Sequence, residues 1–166
     1  MKIDYKKELF RYAEDILTSA TMLSTKEHYQ HGKASVYDHS VAVALECLRI
    51  ADKYGIAVDR KSLIRGALLH DYFLYDWHSS PKEHRPHGFT HAATALKNAR
   101  RDFQVNSLEA EMIYCHMFPM NITRMPLHRE SIILCIADKI VGTEESMNGV
   151  VERIKRFGGV IIGAFC

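Results

Sequence analysis

The sequence predicts an all-α protein, a compact bundle of about six to seven helices. Three observations predict it: apolar residues recur at helical spacing in segment after segment, helix start and stop residues fall at the segment edges, and no alternating strand pattern runs longer than a few residues. At 166 residues the chain has the length of one domain, 1–166. A chain of that size buries roughly two thirds of its unfolded surface, so it can build a core without disulfides or a structural metal. Any metal it binds is therefore expected to serve chemistry.

Taken in order, Leu9, Tyr12, Ile16, Leu17, Met22 and Leu23 predict a first amphipathic helix over about 5–22, after Asp4. A polar loop with Gly32 follows over 24–35. Val41, Ala44, Leu45, Leu48 and Ile50 mark a second helix over 36–53 that stops at Gly55, with His39 in its first turn. Asp59 is the expected N-cap of a third helix over 60–70, which ends on the dipeptide His70-Asp71. Residues 72–89, with Pro81, Pro86 and Gly88, read as a long loop of the kind that carries function. Thr90 is expected to cap a helix over 91–101 and Ser107 another over 107–116, followed by a second proline-bearing loop over 118–127. Ile132, Ile133, Cys135, Ile136 and Ile140 predict a helix over about 128–145 with Asp138 near its middle, and a last helix covers about 149–157.

Composition narrows the function classes. The 22 basic and 20 acidic residues leave a formal charge of +2, and no Lys/Arg tract is interleaved with aromatics, so no polynucleotide partner is expected. No apolar run approaches the roughly 20 residues of a membrane span, and the polar start Met1-Lys2-Ile3-Asp4 does not read as a signal segment. Cys47, Cys115, Cys135 and Cys166 stand singly, which reads as reduced thiols in a cytoplasmic protein. The methionines read as core filler.

Ten histidines are out of proportion, and their placement matters more than their number. His39, His70, Asp71, His91, His116 and Asp138 come from five successive predicted helices. Imidazole nitrogens with carboxylate oxygens suit divalent transition ions, and four His with two Asp suffice for two ions if Asp71 bridges them through its two oxygens. Small and apolar residues at Gly66-Ala67-Leu68-Leu69 let neighbouring helices approach just before the His-Asp pair. His28, His78, His84 and His128 read as solvated.

The ordered set resembles the HD-domain superfamily of metal-dependent phosphohydrolases. Tyr37-Asp38-His39-Ser40-Val41-Ala42 resembles the first-His helix of that family, Ala67-Leu68-Leu69-His70-Asp71 its signature pair, His91-Ala92-Ala93-Thr94-Ala95 its third-His helix, and Ala137-Asp138-Lys139 its closing Asp, while His116 ahead of Pro119 resembles the fourth His. The resemblance covers about residues 30–145. It implies an HD-type helical domain in which His39, His70, Asp71 and Asp138 hold one ion and His91 and His116 contribute to a second. The ions, one or two of Fe, Mn, Zn, Co or Ni, would activate water against a phosphoester or phosphoanhydride. Asp71, Asp76 and His87 are the expected catalytic residues, with Asp76 or His87 handling a proton, and His31 and Lys139 are expected to steady substrate phosphate. His87 is open to three roles: reaching the second ion, touching substrate, or holding its loop.

Subfamily marks limit the substrate. Tyr72, Phe73, Leu74 and Tyr75 replace the acidic residues that follow the pair in guanosine tetraphosphate hydrolases, and Met117-Phe118-Pro119 stands where cyclic-di-GMP phosphodiesterases carry a Gly-Tyr-Pro element. Length and ligand pattern are closer to small bacterial HD proteins such as diadenosine tetraphosphate hydrolases, which implies a small phosphorylated substrate, such as a nucleotide. Two other readings stay open: a di-iron oxygenase built on the same domain, and a non-catalytic, metal-stabilised interaction domain. No feature of the sequence fixes an oligomeric state.

Overall fold

The computed structural model describes residues 4–28, 34–74 and 87–163, with backbone only for 87–89 and 149–163. Among these residues lie seven α-helices and no β-strand: α1 (Tyr5–Leu17), α2 (Ala20–Ser24), α3 (Val36–Lys53), α4 (Arg60–Leu69), α5 (His87–Asp102), α6 (Ser107–Cys115) and α7 (Arg129–Gly163), with a short 3-10 turn at Thr25–Glu27. The all-α expectation holds. No described helix is long and apolar enough to cross a membrane.

Most helix starts are set by one side chain. Asp4, Ser19, Ser35, Asp59 and Asn106 each accept a hydrogen bond from the backbone N–H three residues on, which satisfies a donor that the helix itself leaves orphaned. α3 ends as its sequence predicts, since Gly55 takes φ +62°, a conformation that costs glycine little.

Four boundaries differ from the sequence reading. The expected helix over 5–22 breaks at Thr18 and Ser19, whose hydroxyls bond back to the Glu14 and Ile16 carbonyls while Ser19 caps α2. α5 begins at His87, so Thr90 is interior and not a cap; Gly88 in a first turn lowers helix propensity by only about 1 kcal/mol. α6 is capped by Asn106 and not Ser107: the Asn106 side chain accepts from the Glu109 backbone N–H, and the Glu109 carboxylate accepts from the Asn106 backbone N–H, which completes a capping box. The two expected last helices are one, α7: a lone Gly149 without a following proline does not stop a helix.

α3 is central, packing against α4 and α7, while α4 also meets α6 and α1, and α5 lies on α6. Ile16, Val43, Leu48, Leu68, Met112 and Leu134 are among the fully enclosed residues of the core. The methionines divide: Met22 and Met112 are buried, whereas Met120, Met125 and Met147 are exposed, against the core-filler reading. Arg60, through Nη2 to Glu8 Oε2 at 2.7 Å and Nη1 to Asp52 Oδ1 at 2.6 Å, ties the start of α4 to α1 and α3. A close approach matters more for the site. A Cβ on Gly66 of α4 would lie 2.7 Å from Met112 Sδ of α6, so the two helices come as near as they do only because Gly66 has no side chain. One turn further along each helix stand His70 and His116.

Candidate metal centre

His70 and His116 are built alike. Each is the C-cap residue of its helix, α4 or α6, and each turns its Nδ1 back to the carbonyl three residues earlier, His70 to Ala67 at 2.7 Å and His116 to Ile113 at 2.8 Å. A carbonyl only accepts, so Nδ1 of each ring carries the proton and, in the neutral ring, Nε2 presents a lone pair. The rings lie edge to face with centroids 4.9 Å apart. Because α4 ends at Leu69, the chain turns immediately and Asp71 points into the same space as His70, although adjacent residues of a continued helix would diverge by about 100°. Asn98 of α5 holds this turn by donating from Nδ2 to the Tyr72 and Phe73 carbonyls at 3.1 Å each, and Leu74 leaves it with φ +58°.

Asp71 divides its oxygens between two groups. Oδ2 lies 3.2 Å from His70 Nε2 and 3.8 Å from His39 Nε2; Asp138 Oδ1 completes that group at 3.2 Å from His39 Nε2 and 3.6 Å from His70 Nε2. Oδ1 lies 3.3 Å from His91 Nε2 and 3.4 Å from His116 Nε2, and those two nitrogens are 2.9 Å apart. Atoms about 2.0–2.2 Å from a common ion stand roughly 3–3.5 Å from one another; the separations of the second group, 2.9–3.4 Å, match that spacing, and those of the first, 3.2–3.8 Å, are slightly wider. Five of the six side chains belong to buried residues, and Asp138 is 13% exposed. The Phe73 ring packs edge-on to His91 with centroids 6.0 Å apart.

The rings themselves test whether the donors suit a divalent ion. Three of the four histidines, His39, His70 and His116, have Nδ1 engaged by an acceptor outside the cluster, the arrangement that fixes a ligand tautomer. His70 Nε2 is buried without a hydrogen-bond partner of its own. Electrostatics agree. Burial pushes the Asp71 and Asp138 carboxyls up, but the surrounding imidazoles overcome it and hold both well below the usual carboxylate range. Burial pulls His39 down, and Asp138 and Glu145 outweigh it, raising the ring to about 9. His70 is raised well above its usual value by Asp71 and Asp138 against the same burial effect. Burial dominates at His116, which is lowered. The two carboxylates thus demand positive charge beside them, as protons or as a cation. The donor set fits a divalent ion in each group.

Other expected residues fall out differently. Lys139 donates from Nζ to the His116 carbonyl at 3.0 Å and lies 3.6 Å from Asp138 Oδ2, half-buried at the edge of the cluster. His31 and Asp76 lie outside the described residues, as do His78 and His84. The His87 side chain does too, but its backbone opens α5, so His87 and His91 share one helix, one turn apart, with no cap between them. His128 is exposed yet bound to Glu111, Nδ1 to Oε2 at 2.5 Å, and His28 is half-buried. Cys47, Cys115 and Cys135 are free thiols, buried, and Cys166 lies outside the described residues. Sequence reasoning missed Glu145, whose Oε2 accepts from His39 Nδ1 at 2.9 Å. The available signal was spacing: Glu145 follows Asp138 by seven residues, which returns it to the same face of α7.

No curated protein and no solved structure matches the chain. The family model for the HD domain matches residues 36–142, well over half of the sequence, and that stretch holds all six clustered residues. In its helical architecture, its paired His/Asp groups and this match, the chain belongs to the HD-domain family, whose members are generally metal-dependent hydrolases.

Proposed function

We propose that the protein is a dinuclear metal-dependent phosphohydrolase that cleaves a phosphoester or phosphoanhydride of a small nucleotide or phosphorylated metabolite. The observation that carries this reading is the Asp71 carboxylate, with one oxygen in each of two imidazole groups. His39, His70, Asp71 and Asp138 would hold one ion, and Asp71, His91 and His116 the other. A bound pair of divalent cations supplies Lewis acidity, neutralising phosphoryl charge and making water a better nucleophile near neutral pH.

The chain's own residues supply the rest. The Nδ1 hydrogen bonds of His70 and His116 orient both rings before substrate arrives, so no reorganisation is needed at the moment of reaction. Phe73 covers one side of His91 and limits water there. Lys139 Nζ, anchored on the His116 carbonyl and beside Asp138 Oδ2, would present its charge and a remaining N–H to a phosphate oxygen at the edge of the cluster. The absence of a Lys/Arg tract interleaved with aromatics and a formal charge of only +2 favour a small substrate over a polymeric one. Asp76 or His87 is proposed to handle a proton, and His31 to assist Lys139.

The test is turnover of bis(p-nitrophenyl) phosphate and p-nitrophenyl phosphate with Mn, Co or Ni added, run beside elemental analysis of protein purified without chelator. Two ions per chain and metal-dependent release of nitrophenolate are expected. Bound iron with O₂-dependent turnover and no phosphatase activity would replace this reading by an oxygenase, which the same donor set can serve. No metal uptake would leave an interaction domain.

A further inference from the structure

Glu145 touches no other member of the cluster in the bonds that define it, lies three residues beyond the stretch that matches the family, and yet holds His39. α7 grips this imidazole from both sides. Asp138 Oδ1 approaches Nε2 at 3.2 Å and Glu145 Oε2 approaches Nδ1 at 2.9 Å; the two carboxylates come from positions seven residues, roughly 10 Å of helix rise, apart. A neutral imidazole has a single ring proton to place. With it on Nδ1, donated to Glu145, the Nε2 lone pair faces Asp71 and Asp138, where an ion would sit. With it on Nε2, the ring donates to Asp138 instead and occupies the place of the ion with its own hydrogen bond. The alternatives are mutually exclusive, and the Glu145 contact favours the first.

His70 and His116 receive the same service from backbone carbonyls in their own helices. His39 does not: the carbonyl three residues back is that of Val36, the first residue of α3, and the ring turns its Nδ1 instead to Glu145 Oε2 at 2.9 Å. A side chain from α7 takes that place. We propose that Glu145 is a positioning residue that fixes His39 in the ligating tautomer and orientation, and thereby sets the affinity of the ion held by His39, His70, Asp71 and Asp138 without affecting the ion shared by His91 and His116. This rests on the reading of the cluster as a metal centre.

The surroundings make the proposal testable by substitution. Glu145 is 17% exposed and borders an open groove of about 810 Å³ lined also by Tyr5, Leu45, Glu46 and Arg49, so a shorter side chain there opens onto water and leaves no sealed cavity. Glu145→Gln keeps the reach and the acceptor oxygen but not the charge, whereas Glu145→Asp keeps the charge and withdraws it by one methylene. Glu145→Leu removes both.

Cobalt(II) titration of the full chain against a competing chromophoric chelator reads the two affinities separately. Glu145→Asp and Glu145→Leu are expected to weaken one site by about 10–100-fold and leave the other unchanged, with Glu145→Gln staying much closer to wild type. In the cobalt protein, the hyperfine-shifted exchangeable proton of His39 Nδ1 should persist in wild type and Glu145→Gln and be lost to solvent exchange in Glu145→Leu. Unchanged affinities in Glu145→Leu and Glu145→Asp would overturn the proposal, as would equal weakening of both sites, which marks a merely structural role. A wild-type-like Glu145→Asp beside a weakened Glu145→Gln would also overturn it, since charge rather than the contact would then govern. If Glu145→Leu fails to fold, the Asp and Gln variants decide between the same outcomes. Failure of the wild type itself to bind cobalt would overturn the metal-centre reading along with this one, whereas wild-type binding with indifferent variants overturns this one alone.

Discussion

Asp71 and His91 differ in how many groups they serve, and the difference predicts separable phenotypes. Asp71 contributes to both, so Asp71→Ala should strip most bound metal and, on the proposed function, lower turnover of the nitrophenyl phosphates by at least about 100-fold. Retention of metal and activity would remove the site. His91 faces only Asp71 Oδ1 and His116 among the cluster residues, so His91→Ala should lower the metal count from two toward one while circular dichroism shows the helical fold intact. An unchanged count by elemental analysis would exclude His91 as a ligand. Much of this was legible in the sequence, because a ligand's identity is a property of the side chain and its order along the chain is written directly. Glu145 was legible only as a residue on the Asp138 face of its helix, seven positions on; that it partners His39 is decided once α7 is laid against that ring.

At the scale of the element, two contacts set where the centre forms. Gly66 lets α4 reach α6, and a larger residue must displace Met112 or part the helices; Gly66→Val should cost about 1–3 kcal/mol and move His70 away from His116. A urea titration reads the first effect and loss of the second ion the second; full stability with both ions retained would show the contact to be slack. Glu111 of α6 pins the segment leading into α7, accepting from the Leu127 and His128 backbone N–H groups at 2.8 and 3.0 Å and from Ser131 Oγ at 2.9 Å. Burial pushes its carboxyl up, but these bonds and His128 hold it below its ordinary value of 4.5. A folded-state pKa below the unfolded one means stabilisation that is present above about 4.5 and lost as pH falls through the lower, folded value. Glu111→Gln imitates the protonated acid, so it should be less stable than wild type by about 1–3 kcal/mol at pH 7, a gap that closes on acidification. A gap independent of pH would refute the assignment of charge to that contact.

For the whole molecule, the centre joins α3, α4, α5, α6 and α7, so an ion held there links most of the bundle. A metal that binds only the folded chain stabilises it by about 2.7 kcal/mol at a hundredfold excess over its dissociation constant, or about 5–10 °C in Tm at this chain length. Differential scanning fluorimetry of chelator-treated protein with and without added Mn measures this directly. A Tm indifferent to metal would contradict a resident ion.

Helix content, several caps and the six donors follow from the sequence alone because they depend on local rules: apolar periodicity, a capping side chain such as Asp59, a glycine stop at Gly55, and side chains whose chemistry is their own. Boundaries that turn on competition between weak local preferences, as at Ser19, Asn106 and Gly149, were legible only in part. Tertiary structure alone decided which Asp71 oxygen faces which imidazoles, which ring nitrogen each histidine keeps for the cluster, and that a carboxylate two turns beyond Asp138 holds His39. Those are angstrom-scale relations between helices distant in sequence, fixed by packing such as Gly66 against Met112, and no pattern along one strand of chain encodes them.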